Sequence, residues 1–398
     1  MFALGTTDNA AYSEVNMEGR PVIILGAGAT KACGGPLTDE ILPAALNGRM
    51  EHDDQKTLVA DREELLHLTR KFLAECFNVP LGGIAVRRED CPSLPMVLSM
   101  LRRSVDLQQP IGDWHGDGLI KARRAIEYSL FAVIEAALRH PSGPDLHRML
   151  LEPIYRRGIE PFVISLNYDV IVDNAMFSLS ERYQSMRPPD YGVDIATQRY
   201  NEFRSSGTFG RLFKIHGSLN WLYCERCTRL DLFISAGMRT GKALDELYNA
   251  VPFNDAYSCR GTPCRNPNCD GFVSPILITP TYVKDYENKH IERVWRDAEA
   301  AMKSAERAMI IGYSLPTDDV EVAMLFKRGL NHVPRERISV IEFVDGDIDK
   351  PSAMRIALGQ HPTGQRFRTL FGAGLDWHTT GFQGWLREQQ SSGQYPFC

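Results

Sequence analysis

The chain has 398 residues, 43% of them hydrophobic and 24% charged. That composition is ordinary for a globular protein, and the length allows a large core without disulfide staples. A net charge of −5 gives no basic footprint for nucleic acid, and no apolar run reaches the ~18 residues of a membrane span.

The N-terminal stretch has no basic residue before Arg20 and no apolar middle, so no secretory leader and a cytoplasmic location are expected. "VIILGAGATKACGGP" (Val22–Pro36) reads as a strand entering a glycine turn that opens a helix. Small residues at Gly26, Ala27, Gly28, Ala29 and Thr30 allow close approach of a ligand to the backbone. The helix N-terminus then offers N–H groups and a positive dipole end, which suits a pyrophosphate. The lysine and Ser/Thr of a phosphate-binding P-loop are absent. The third glycine of the dinucleotide fingerprint would fall at Lys31, and no clean acidic residue follows about 20 positions on. The turn alone is therefore a weak signal.

Further strands are predicted at Pro161–Leu166, Leu212–Ile215, Pro275–Thr279, Ala308–Ile311 and Ile338–Val344, with helical patterns between most of them. This alternation predicts an α/β fold with a parallel, Rossmann-like sheet. The long gap before the second strand holds two apolar stripes, Leu65/Leu68/Phe72/Cys76 and Ile126/Leu130/Val133/Ala137, read as core-facing helices. Gln108–Gly118 reads as a loop, and the final residues as a loose polar tail. The expected organisation is an N-terminal segment (1–20), a sheet domain built from 21–44, 159–222 and 273–385, a helical insertion (45–158), a cysteine module (223–272) and a tail (386–398).

Three strand ends carry polar residues: "SLNYD" with Asn167 and Asp169, "KIHGSLNW" with His216, and "IIGYSLP" with Ser314. Residues just past the carboxyl ends of parallel strands line the ligand crevice of an open sheet. Each could be an ordinary turn or cap residue, but together they are expected to converge with the glycine turn. Among the nine cysteines, Cys224-x-x-Cys227 and a distal group at Cys259, Cys264 and Cys269 have the spacing of a four-sulfur zinc site. Cys264 and Cys269 are the favoured distal pair, because "CRNPNCDG" has the turn residues of a zinc knuckle; Cys259 remains open. With four sulfur ligands the metal would be structural. Cys33, just past the glycine turn, reads as a small buried side chain rather than a reactive thiol.

The order of these motifs resembles the sirtuin family. "GAGATKACGGP" aligns without a gap through Gly34 to Pro36, "SLNYD" places Asn167 and Asp169 in register, and "HGS" and "GYSL" supply His216, Gly312 and Ser314. The segment after Pro36, "LTD", departs from the D-F-R of protein deacylases. "NYD", "KIHGSLNW" and "GYSLP" are similar to a bacterial sirtuin-like branch that hydrolyses NAD+ in anti-phage defence. The resemblance implies a sirtuin-like fold with a zinc ribbon, NAD+ as substrate and structural Zn2+. It implies an NAD+ cradle at Gly26–Thr30 and Gly34, with Asp169 on the nicotinamide amide and Asn167 and His216 beside the nicotinamide ribose as the catalytic pair. Gly312 and Ser314 would contact the adenosine side. Asp345 is its candidate for the adenosine ribose, with Glu342 as the other reachable acid. An activity that depletes an essential cofactor calls for restraint, for which the helical insertion or a homo-oligomer contact is the candidate, and the resemblance adds a separate partner such as a motor ATPase of the HerA type. The competing expectations are an NAD-dependent deacylase or ADP-ribosyl transferase, and a non-catalytic sensor of NAD+ or ADP-ribose.

Overall fold

The computed structural model describes residues 19–48, 62–83, 85–138, 144–183, 189–197, 203–204, 211–232, 262–277, 288–317, 319–342, 361–393, 395 and 397. Asp345, Cys259 and residues 278–279 and 343–344 of two predicted strands lie outside them.

Six short strands form an all-parallel sheet: β1 (Val22–Leu25), β2 (Phe162–Ser165), β5 (Leu212–Lys214), β10 (Ala308–Ile311), β11 (Ile338–Ile341) and β12 (Asp376–His378), in the order β12-β11-β10-β1-β2-β5. β1, β2 and β10 are buried along their whole length, as parallel strands covered on both faces must be. The chain leaves β1 toward β2 and β5, then returns to β10 on the other side of β1. The ends of β1 and β10 therefore flank a switch point, where open α/β sheets form their ligand crevice.

A second sheet combines β3 (Ile195–Thr197), β4 (Phe203–Arg204), β6 (Gly217–Cys224), β7 (Leu230–Leu232), β8 (Thr262–Pro263) and β9 (Phe272–Leu277), in the order β4-β3-β7-β6-β9-β8. Its pairings are antiparallel except β3 with β7. Two expectations are corrected here. The strand read at Pro275–Thr279 is β9, and it joins this second sheet through β6 rather than the parallel sheet. The sixth parallel strand is β12, which the sequence reading missed. This sheet also draws on β3, β4, most of β6 and most of β9 outside 223–272.

Between β1 and β2 lie α1 (Ala27–Ala32), α2 (Ile41–Leu46), α3 (Arg62–Phe77), α4 (Leu94–Asp106), α5 (Asp117–Leu138) and α6 (Leu146–Arg156). α5 is the apolar hub, with Ile126, Leu130, Phe131 and Val133 buried and α2, α3 and α4 packed on it. In α3 the buried face is Leu65, Thr69, Phe72 and Leu73; Leu68 and Cys76 are half-buried at its edge. Side chains satisfy the first N–H groups of two of these helices: Ser93 accepts from Met96 at 3.3 Å and Asp145 from Arg148 at 3.0 Å. Farther along come α7 (Ile171–Arg182), α8 (Lys289–Lys303), α9 (Val320–Leu330), α10 (Pro362–Phe371) and α11 (Gly381–Ser392). α11 runs through most of the stretch read as a tail and buries Phe382, Trp385 and Leu386 against α1, α6 and β11. Among the described residues, no helix is long and apolar enough to cross a membrane.

Candidate functional site

The site begins where β1 and β10 end. Gly26 N donates to Ile311 O at 2.9 Å, Gly28 N to Gly312 O at 2.7 Å and Gly312 N to Ile341 O at 2.8 Å. The close approach that the glycines permit is, in this structure, to each other's loops. A Cβ on Gly26 would stand 2.5 Å from Gly312 O, and one on Gly28 2.7 Å from Gly312 Cα. A Cβ on Gly312 would stand 2.2 Å from Ala29 N, and Gly312 has φ +63°. Gly312→Ala therefore combines left-handed strain with a backbone clash. It is expected to cost about 2–4 kcal/mol, read from urea unfolding. Ala29 is buried and its N donates to Gly26 O at 2.9 Å, while Ala27 is half-buried at the start of α1. Gly34 is exposed in the turn after α1, with φ +92° and no atom near its would-be Cβ, so it stays outside the network described next.

β2 ends in Ser165, and the loop that follows brings Asn167 across to the glycine turn. Asn167 Nδ2 donates to Gly26 O at 2.8 Å and to Thr30 Oγ1 at 2.9 Å. Thr30 Oγ1 in turn donates to Asp169 Oδ2, and Asp169 Oδ1 accepts Ile171 N at 3.0 Å at the start of α7. Both amide hydrogens of Asn167 are thus committed, which leaves Oδ1 to act as an acceptor. Each Asp169 oxygen already accepts one bond and keeps a second lone pair. Asn167, Asp169 and Thr30 are buried, as is His216.

His216 follows β5. Its Nδ1 lies 3.0 Å from Leu166 O, one residue before Asn167. A carbonyl oxygen can only accept, so Nδ1 carries the hydrogen and the neutral ring has its lone pair on Nε2. The ring sits between Tyr168 at 6.4 Å and Trp295 at 6.2 Å, and Trp295 Nε1 donates to Ile215 O at 2.7 Å. The loop after β10 continues through half-buried Ser314, whose main-chain O accepts Arg366 Nε at 2.9 Å. Glu342, just past β11, is half-buried, and its main chain is paired with His378 and Gly381. Asn167, Asp169, Thr30 and His216 therefore come together with the glycine turn at the ends of β1, β2 and β5. Ser314 lies on the β10 side of the switch point.

Beneath this network Cys33 Sγ is 3.6 Å from His147 Nδ1, and His147 packs edge-on to Phe382 at 5.5 Å. Burial, reinforced by the Asp169 charge, pushes the Cys33 thiol up to about 12, so it is an inert thiol at neutral pH. Burial holds the His147 imidazole below its usual 6.5, with Asp169 and Asp145 pulling the other way. Below pH 6.5 the unfolded chain takes up a proton at this residue that the native protein refuses. The stabilising effect is thus present above 6.5 and is lost as pH falls toward the native value. The slope is at most about 1.4 kcal/mol per pH unit. Urea unfolding between about pH 7 and pH 5 should show this acid slope, and His147→Phe should flatten it.

The second sheet carries the cysteines. Cys224, Cys227, Cys264 and Cys269 have their Sγ atoms all within 4.8 Å of one another, with Cys224–Cys269 at 3.8 Å and Cys227–Cys264 at 3.6 Å. These separations exclude disulfides. They match the sulfur–sulfur edge of about 3.8 Å that four Zn–S bonds of ~2.3 Å give in a tetrahedron. Asn266 N and Gly271 N donate to Cys264 Sγ and Cys269 Sγ at 3.4 and 3.3 Å. A Cβ on Gly271 would meet Cys224 Sγ at 2.8 Å, so glycine keeps the cage open. The donor set fits a structural Zn2+ with no open coordination position.

Sequence reasoning missed Lys214, Asp173 and Tyr191, which form a buried polar cluster behind Asp169. The available signal was a lysine inside the apolar run "LFKI".

No protein-family model matches the chain, and no curated protein matches it. Solved structures do. A structure on the basis of sirtuin substrate affinity aligns over 94% of this chain and 93% of its own, at 11% identity and a TM-score of 0.40. A Sir2 with a p53 peptide and NAD+ aligns over the same shares at 12% identity and a TM-score of 0.40. A Sir2 in complex with an inhibitor, 2'-O-acetyl-ADP-ribose and a deacetylated p53 peptide aligns over 94% of each chain at 13% identity and a TM-score of 0.36. Likeness at this level carries no argument about function.

Proposed function

We propose that this protein is an NAD+ glycohydrolase that cleaves NAD+ to nicotinamide and ADP-ribose. The observation that carries the reading is the linked set Asn167–Thr30–Asp169, with His216 hydrogen-bonded one residue away, beside the glycine turn at the switch point of the parallel sheet. A dinucleotide suits that crevice. Its pyrophosphate would lie by Gly26–Thr30, its nicotinamide amide by Asp169, and its adenosine toward Ser314 and the acidic residues beyond β11.

The chemistry asks little acid catalysis of the protein. The nicotinamide of NAD+ is a cation joined to ribose and departs as a neutral base. The C–N bond electrons go to the leaving nitrogen, and the sugar acquires oxocarbenium character. What remains is to hold the sugar and admit one oriented water. Asn167 Oδ1, fixed by the two committed N–H groups, accepts a hydrogen from that water or from a ribose hydroxyl. His216 Nε2 takes the proton released when the water oxygen bonds to the sugar carbon, and passes it to solvent.

Depleting NAD+ harms a cell, so such an activity needs restraint. A regulated role in bacterial anti-phage defence rests on the resemblance of the "NYD", "KIHGSLNW" and "GYSLP" segments. So do a homo-oligomeric state and a HerA-type ATPase partner. The test is to incubate the protein with NAD+, with and without candidate activators, and identify products. Equal amounts of nicotinamide and ADP-ribose support the reading. Turnover of acyl-lysine peptide would make it a deacylase, reduced cofactor a dehydrogenase, and bound but intact NAD+ a sensor.

A further inference from the structure

We infer that Lys214 is a positioning residue for the nicotinamide end of the site, acting through the main chain of Asp169 and not through substrate. The inference rests on the NAD+ reading above.

Lys214 is the last residue of β5 and is 0% exposed. Lysine is almost never so deeply buried unless paired. Its Nζ donates to the main-chain O of Asp169 and to Asp173 Oδ2 at 3.1 Å. Tyr191 OH donates to the other Asp173 oxygen at 2.6 Å, so both carboxylate oxygens are engaged. Tyr191 also packs edge-on to Trp221 of the second sheet at 5.2 Å.

A buried ion pair is a weak source of stability, since apolar side chains of the same volume often serve as well or better. The geometry supplies a different account. The ammonium fixes the carbonyl of Asp169, while the Asp169 carboxylate is fixed by Thr30 and Ile171 N. Two residues farther along the same strand end comes His216, held to Leu166 O. β5 thus delivers the proposed base and also the support for the residue proposed to hold the nicotinamide amide.

The test compares two ligands of which only the first carries a nicotinamide: a carbocyclic NAD analogue that resists hydrolysis, and ADP-ribose. Affinities are measured by calorimetry on wild type, Lys214→Met, and the double variant Lys214→Met/Asp173→Leu. The double variant removes both buried charges and leaves neither alone. Each folded variant is expected to lose about tenfold to a hundredfold in affinity for the NAD analogue. ADP-ribose affinity should stay within about twofold, because ADP-ribose lacks the nicotinamide amide that Asp169 would hold. A folded variant that keeps the wild-type ratio of the two affinities overturns the inference. So does one that loses both equally, or failure of both variants to fold, since either makes Lys214 a general structural residue. Wild-type protein that binds neither ligand overturns the NAD+ reading itself, and this inference with it.

Discussion

Asn167→Ala is expected to lower nicotinamide release on the order of a hundredfold to a thousandfold, the range for removing one preorganised polar group from a reacting centre. Asn167 spends its two N–H groups on Gly26 O and Thr30 Oγ1, which aims its remaining oxygen. Alanine removes that oxygen, and it also leaves a buried carbonyl without this donor. The second effect costs about 1–3 kcal/mol of stability, too little to unfold an ordinary domain. Asn167→Asp should fare no better, because a carboxylate cannot donate to either partner and would stand near Asp169. The check is a rate measurement paired with a thermal melt. Loss of turnover with a native-like melt supports the role. Retained turnover removes Asn167 from the chemistry.

The second large effect concerns the metal. The protein is expected to bind about one zinc per chain, and Cys227→Ser or Cys264→Ser to bind far less. Structural zinc sites carry about 10–16 kcal/mol of apparent binding free energy, which is folding free energy for the elements they tie together. Here those elements are β6, β8 and β9, of which β8 has only two residues, with Leu222 of β6 and Val273 of β9 buried beside the cage. Losing about 5 kcal/mol of this would lower Tm on the order of 10 °C. Metal analysis and calorimetry on the purified variants read both quantities. Serine variants with wild-type zinc content and melting would remove these cysteines from the ligand set. The His216 loop enters β6 directly, so a weakened cage should also reduce activity.

How much of this was legible depended on the kind of signal. β1 and β10 were readable to the residue, because a fully buried parallel strand is an uninterrupted apolar run bounded by glycine. β12 was not, because "DWH" is an edge strand with an exposed Asp376 and no apolar run. β9 was seen as a strand, but an apolar run does not name its partner, and its pairing with β6 placed it in the other sheet. Residues 386–392, read as the start of a polar tail, are helical because Phe382, Trp385 and Leu386 fall on one face of α11. In the site, Asn167, Asp169 and His216 stood out as polar residues at strand ends. The bond from Thr30 to Asp169 spans 139 positions, and no local pattern encodes it. Lys214 was hidden for the same reason: its partners become visible only when β5 lies beside β2. The cysteines were legible because metal geometry leaves its spacing in the sequence.

Product analysis of NAD+ turned over by the purified protein decides whether the ribose is handed to water. Wild type is expected to release nicotinamide and free ADP-ribose in equal amounts, at a rate on the order of a hundredfold to a thousandfold above that of Asn167→Ala. Intact NAD+ under every activating condition, or nicotinamide release with the ADP-ribose found on protein or on an acyl group, overturns the glycohydrolase reading.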